Sequence, residues 1–198
     1  KWVADFRDPW THIGYHKKLK LTRLSKRKHK QLEASVLMNS DQIIVTSPQT
    51  KLILSKRTKS PVIVITNGYD FEINKSCKLD TKFTLSHVGN LQDGRNPEFL
   101  WKTLHDLVQN SIDFSKHFRL NLIGYISEAV LNSIRIYGLE AYTDYSGYVS
   151  HSEALEYQSR TQLLLLIEEN SKETKYIIPG KLFEYIASRR PIIAIGPD

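Results

Sequence analysis

From Phe83 onward, short apolar runs alternate with amphipathic stretches. FTLSHV (83–88), LNLIG (120–124), LLLLI (163–167) and IIAI (192–195) read as strands, and a further short strand is expected over 145–149. Runs this continuously apolar suit strands paired in parallel and covered on both faces. Helical spacing fills the gaps between them. One helix is expected to start with Asn96 as N-cap and Pro97 in first position, turning Leu100, Leu104, Leu107 and Val108 inward. The next is capped by Ser127, buries Val130, Leu131, Ile134 and Tyr137, and stops at Gly138. Ser150-His-Ser-Glu153 has the spacing of a capping box and opens a helix running to about Arg160. A last helix carries Lys181. Strands and helices in this order predict an α/β, Rossmann-like, doubly wound parallel sheet over residues 79–198.

The pattern before Phe83 is looser. WVADF reads as a strand bounded by Pro9, with QIIVTS (42–47) and VIVIT (62–66) as two more. A helix is expected over Thr22–Met38, with Leu24, Leu32 and Val36 on one side and Lys28 among them. Asn67-Gly68 is a turn signal, since both residues tolerate positive φ. These elements make a partial α/β domain of residues 1–70, followed by a second domain of residues 71–198, with the boundary in the polar segment 67–78.

Charge sharpens that division. The 198 residues carry a net charge of +7. Residues 1–75 hold +9 and residues 76–198 hold −2, so the two parts meet different surroundings. The excess sits in HKKLKLTRLSKRKHK, His16–Lys30, with eight Lys/Arg and no acid. The longest apolar run, Leu163–Ile167, is too short to cross a bilayer. Cys77 is the one cysteine, which excludes an internal disulfide and fits a reducing compartment. The chain begins at Lys1 without Met and ends just after a strand, as expected of part of a longer protein.

Candidate chemistry lies where strands feed helices. In an open parallel sheet, ligands bind beyond the carboxyl ends of the strands, at helix N-termini that favour anions. Two loops fit. One follows Val88 and carries Gly89, Gly94 and Arg95. The other ends in Pro179-Gly180-Lys181. Gly180 permits close backbone approach, Lys181 supplies a point charge for phosphate, and Glu184 can accept two hydrogen bonds from vicinal hydroxyls such as those of a ribose. Glu184 is expected on one face with Lys181 and Ser188, opposite Leu182, Phe183, Ile186 and Ala187. The plain alternative is a Lys181–Glu184 surface pair at i,i+3 and a solvated Arg95. The glycine spacing is not GxGxxG, so it specifies no dinucleotide site. His12, His16 and His29 lack metal-ligand spacing, and His87 reads as a satisfied, partly buried strand residue.

IPGKLFEYIASRRPIIAI (178–195) resembles the donor-site segment of group 1 glycosyltransferases of the GT-B fold. HVGNLQDGRNPEFL (87–100) is similar to their first C-terminal-domain strand and phosphate loop. VITNGYD (64–70) is similar to their interdomain segment, often I-P-N-G-V-D. GYVSHSEAL (147–155) resembles their base-side loop and helix, and KWVADFRDPW (1–10) a strand and loop late in the N-terminal domain of polysaccharide-type members. The matches follow the family's order along nearly the whole chain. The resemblance implies a cytoplasmic enzyme that moves a sugar from a nucleotide-diphosphate sugar to a glycan or lipid-linked acceptor in surface polysaccharide biosynthesis. Retention of configuration and no obligatory metal cofactor go with it. It places the diphosphate on Gly89, Arg95, Gly180 and Lys181, the ribose on Glu184, and the base beside Tyr148 and Val149. One departure stands out: many relatives carry a second glutamate eight positions before the ribose-binding one, where this chain has Tyr176.

Asp5, Arg7, Asp8 and Trp10 close the first strand. Asp8 is the catalytic candidate, orienting an acceptor hydroxyl; pairing with Arg7 is the structural alternative. His151 lies either against the base or on an ordinary capped surface helix. For His16–Lys30 three readings stand: a solvated face, contact with the anionic inner face of a membrane, or a nucleic-acid footprint. Sparse aromatics in the stretch speak against single-stranded nucleic acid. Two other functions keep the same sequence features: a nucleotide-sugar epimerase of the same fold, and a non-catalytic basic module for polyanions.

Overall fold

The computed structural model describes residues 1–13, 16, 19–70, 77–171, 174 and 177–197. Lys17 and Lys18 of the basic stretch, part of the 67–78 boundary, and Tyr176 lie outside them. The chain forms two compact units: residues 1–68 with 170–180 and 197–198, and residues 69–169 with 181–196.

The first unit holds three parallel strands in the order β1-β2-β3: Val3–Phe6, Gln42–Val45 and Val62–Val64. Ala4, Phe6, Leu37, Ile43, Val45, Leu54 and Val62 form its core. Helix α1, Arg23–Asn39, starts at Thr22, whose side chain accepts the Ser25 N–H at 3.2 Å. Its buried face differs from the expected stripe: Leu24 is exposed, and Glu33 and Leu37 point inward. Glu33 is fully buried because it has partners. It accepts from Arg57 Nη2 at 2.7 Å and from Thr11 Oγ1 at 2.7 Å and N at 3.1 Å. A glutamate on the core side of a helix breaks the apolar period; of the expected stripe Val36 packs against the core, while Leu24 and Leu32 are exposed. Helix α2, Pro48–Ser55, is not foreseen by that spacing; Ser47 caps it by accepting the Thr50 N–H at 3.1 Å, and Pro48 takes the first turn. The Asn67-Gly68 turn signal is not realised as a positive φ at either residue.

In the second unit, five parallel strands run in the order β6-β5-β4-β7-β8. They are β4 (Phe83–Val88), β5 (Phe118–Ile123), β6 (Thr143–Gly147), β7 (Leu163–Ile167) and β8 (Ile192–Ile195). One sheet face packs on α3 (Glu98–Asn110) and α5 (Glu128–Ile136) through Leu85, Trp101, Leu104, Leu120, Val130 and Ile134. The other packs on α6 (His151–Arg160) and α7 (Gly180–Ala187) through Val88, Ile123, Leu164, Leu166 and Tyr185. A short α4 (Ile112–His117), capped by Ser111, is a second helix the spacing does not show.

Three expectations change here. Pro97, not Asn96, occupies the N-cap of α3. Asn96 instead accepts from Trp101 Nε1 at 2.7 Å and donates to Ser133 Oγ at 2.8 Å. Trp101 then fills the centre of the core, and Leu107 is left partly exposed. Strand β6 ends at Gly147, so Tyr148 and Val149 belong to the following loop. The Ser150–Glu153 capping box forms as expected, with both reciprocal bonds present.

Candidate functional site

The site residues of the second unit gather beyond the carboxyl ends of β4 and β7. Strand β4 runs into Gly89, whose φ of +125° belongs to glycine. A Cβ at this position would lie 2.8 Å from Lys181 Cε, so the lysine stem passes directly over the Gly89 backbone. Gly124, at φ +110°, lies as close to Gly89: a Cβ there would come within 2.7 Å of Gly89 O. Gly89→Ala is therefore expected to cost about 1–2 kcal/mol of stability from the left-handed backbone and to push the Lys181 side chain away. Urea denaturation beside a nucleotide titration checks both effects.

After Gly89 the chain makes a turn at Asp93–Arg95. Arg95 Nη2 lies 2.9 Å from Glu168 Oε2, at the end of β7. Glu169 approaches the backbone of Gly94. Burial raises the Glu168 carboxyl above its usual range even though Arg95 and Lys181 pull it down. Burial, then repulsion from Arg95, lowers the Lys181 ammonium to about 8, with Glu168 and Glu184 acting the other way. Arg95, Lys181, Glu168 and Glu184 thus share one electrostatic neighbourhood. Arg95 is paired with Glu168, and Lys181 feels the field of both carboxylates, so an arriving anion would compete with Glu168 for Arg95.

Helix α7 sets the order of its side chains. Tyr185, Ala187 and Ser188 are buried, whereas Ile186 is exposed. The expected opposition of Ser188 and Ile186 is therefore reversed, because the helix turns Tyr185 inward. Glu184 stays half-exposed. Gln158 Nε2 donates to its Oε2 at 3.0 Å, and His151 Nε2 lies 3.7 Å from its Oε1. Gln158 is buried, so it fixes the carboxylate from α6. Sequence spacing misses Gln158, because the i, i+4 logic of one helix does not see contacts between two. Val149 packs against the cluster that contains Val88 and Tyr185, and Tyr148 is open to solvent. His87 is fully buried; its Nδ1 lies 3.0 Å from Leu165 O, and burial, then Lys181, lowers its pKa to about 3.

Gly180 opens α7 and is exposed. Its φ is not left-handed, and a Cβ would meet nothing nearer than Asn67 Nδ2 at 3.8 Å, so the chain itself does not demand glycine here. In the first unit, Asp8 is exposed just after β1. The Arg7 guanidinium reaches Asn67 Oδ1 at 3.1 Å. Arg23, Lys26, Arg27 and Lys30 lie along one side of α1 with Gln31 and Ala34 and line a shallow cavity of about 520 Å³. His16 Nε2 lies 3.2 Å from His29 Nδ1. No group of three His, Cys, Asp or Glu side chains among the described residues is arranged to hold a metal ion.

No protein-family model and no curated protein matches the sequence. Solved structures of the GT-B class match the fold. Sucrose-phosphate synthase from Thermosynechococcus elongatus aligns with a TM-score of 0.69 at 16% identity, over 98% of this chain and 50% of that one. WaaG, a glycosyltransferase involved in lipopolysaccharide biosynthesis, aligns at 0.64 and 13% identity, over 97% of this chain and 55% of that one. Anabaena HepE, solved with UDP and glucose, aligns at 0.62 and 15% identity, over 97% and 52%. The chain spans about half the length of these structures. At such identities the likeness establishes a GT-B fold.

Proposed function

We propose that this chain supplies the donor side of a retaining glycosyltransferase, which moves a sugar from a nucleoside-diphosphate carrier to a glycan or lipid-linked acceptor in polysaccharide biosynthesis. The convergence of Gly89, Arg95 and Lys181 beyond β4 and β7 carries the reading, with Glu184 one turn along the helix from Lys181. Arg95, Lys181 and the loop amides hold the diphosphate; Gly180 opens the helix beside them. Glu184, steadied by Gln158, accepts from the ribose hydroxyls, and the backbone at Tyr148 and Val149 faces the base. The leaving diphosphate gains negative charge as the glycosidic bond breaks. Cations already fixed around it stabilise that charge without rearranging. The same two cations make an obligatory metal unnecessary. Asp8 is proposed to orient the acceptor hydroxyl.

A lipid-linked acceptor would suit the cationic side of α1, where Arg23, Lys26, Arg27 and Lys30 favour anionic headgroups by about 1 kcal/mol each near the surface. No helix among the described residues is long and apolar enough to cross a membrane. Peripheral attachment at the cytoplasmic face is the location this reading entails.

The test is a thermal-shift series on the full-length protein with UDP, GDP, ADP and their sugar derivatives. At least one nucleoside diphosphate should raise the melting temperature, and Glu184→Ala should remove most of the rise. A ligand present at 100 times its Kd adds about 2.7 kcal/mol, well within detection. A protein whose melting temperature ignores every diphosphate does not have this function.

A further inference from the structure

Strand β4 extends to Val88, yet its pairing with β7 ends at Ser86↔Leu164. The two strands part where the candidate site opens. Gly89 N–H donates to Ile123 O at 2.7 Å, on the β5 side. Alternation then turns the polar groups of Val88 toward β7. In that register the next rung would join Val88 N–H to Leu165 C=O. Two side chains take its place. Val88 N–H donates to the Tyr185 hydroxyl at 2.9 Å, and that hydroxyl lies 3.4 Å from Val88 O, its acceptor. His87 Nδ1 donates to Leu165 O at 3.0 Å. Tyr185 and His87 are both fully buried. His87 enters from the face shared with Leu85, and Tyr185 from the opposite face, shared with Val88. The fork is plugged from both sides.

A hydroxyl suits this place because it both donates and accepts, matching the N–H and C=O of a single residue. Buried backbone groups left unpaired are costly, so the fork stays open without penalty only while these side chains fill it. Tyr185 also follows Glu184 directly and lies one turn after Lys181 on α7. Val88 leads directly into Gly89 and the Arg95 turn.

We propose that Tyr185 is a positioning residue for the donor site: its hydroxyl fastens the helix bearing Lys181 and Glu184 to the strand end that presents Gly89 and Arg95. The diphosphate and ribose contacts are thereby held in one geometry. This rests on the donor-site reading above and adds a residue to it that touches no substrate. The spare pairing groups of Val88 and Leu165 are what call for it, rather than any apolar packing need. Tyrosine burial explains the ring; the hydroxyl has a separate task.

The experiment compares Tyr185→Phe with the native full-length protein. Phenylalanine fills the same space and leaves Val88 unpaired. Hydrogen exchange of the Val88 amide should quicken at least about tenfold while amides at the centre of β4 and β5 keep their protection. Affinity for UDP should fall about tenfold, and that for uridine much less, so the gain contributed by the phosphates shrinks. If native protein binds UDP and the variant keeps the same UDP-to-uridine ratio, whether or not both affinities drop, Tyr185 does not position the site. If native protein binds no nucleotide, the donor-site reading fails and this proposal with it.

Discussion

Lys181→Met is expected to weaken binding of a nucleoside diphosphate about 10- to 100-fold, the worth of one charge-assisted contact in a half-buried site. The pH dependence gives a sharper signature. The ammonium sits near 8 because of burial and then Arg95, offset in part by Glu168 and Glu184. An anion needs the charged form. Below about pH 8 the proton is in place and affinity should be flat with respect to this group. Above it, binding must take up a proton, and affinity should fall about tenfold per pH unit. The unliganded protein behaves the opposite way. An unfolded lysine titrates near 10.5, so between about 8 and 10.5 the unfolded chain holds more protons and stability rises with pH. Lys181→Met should flatten both curves. Calorimetric titrations with UDP across this range measure the first, and urea denaturation the second. A variant that binds UDP as tightly as the native protein, with the same pH profile, removes Lys181 from the phosphate site.

Trp101→Ala should destabilise the protein by about 3–5 kcal/mol. The side chain is fully buried in the cluster that joins α3 and α5 to β4 and β5. Its indole N–H also holds Asn96, which in turn bonds Ser133 on α5. Truncation leaves a large cavity and an unpaired amide at once. Typical domains are stable by only about 5–15 kcal/mol, so much of the margin would go. Denaturant titration followed by circular dichroism would read the loss directly. A shift smaller than about 1 kcal/mol would mean that the core is not organised around this ring.

The same residue shows how far the pattern of the chain could be read. Spacing put Leu100, Leu104, Leu107 and Val108 on the inner face of α3; Leu104 and Val108 are there, and Trp101 displaces Leu107. The Asn96 side chain had a better offer than capping, but its partners lie five and 37 residues away. In α1 a buried glutamate upset the apolar period, because Arg57 and Thr11 meet it from other elements. In both places a polar side chain is satisfied by a partner beyond the window that apolar spacing reads. Where local rules govern alone, as in the Ser150–Glu153 box or the five-residue apolar run of β7, expectation and structure coincide.

The candidate site divides along the same line. The sequence by itself determined which residues stand at the mouths of strands: Gly89 and Arg95 after β4, Lys181 and Glu184 on the helix before β8. Strand length, apolar content and glycine placement are local matters, and those follow from neighbours in the chain. Only the tertiary structure decided that Lys181 crosses over Gly89, that Glu168 engages Arg95, that Gln158 steadies Glu184, and that Tyr185 completes the fork between β4 and β7. These contacts depend on which strands become neighbours in a sheet ordered β6-β5-β4-β7-β8. Strand order is settled by packing both faces of the sheet at once, a sum over distant pairs that no window along the chain contains.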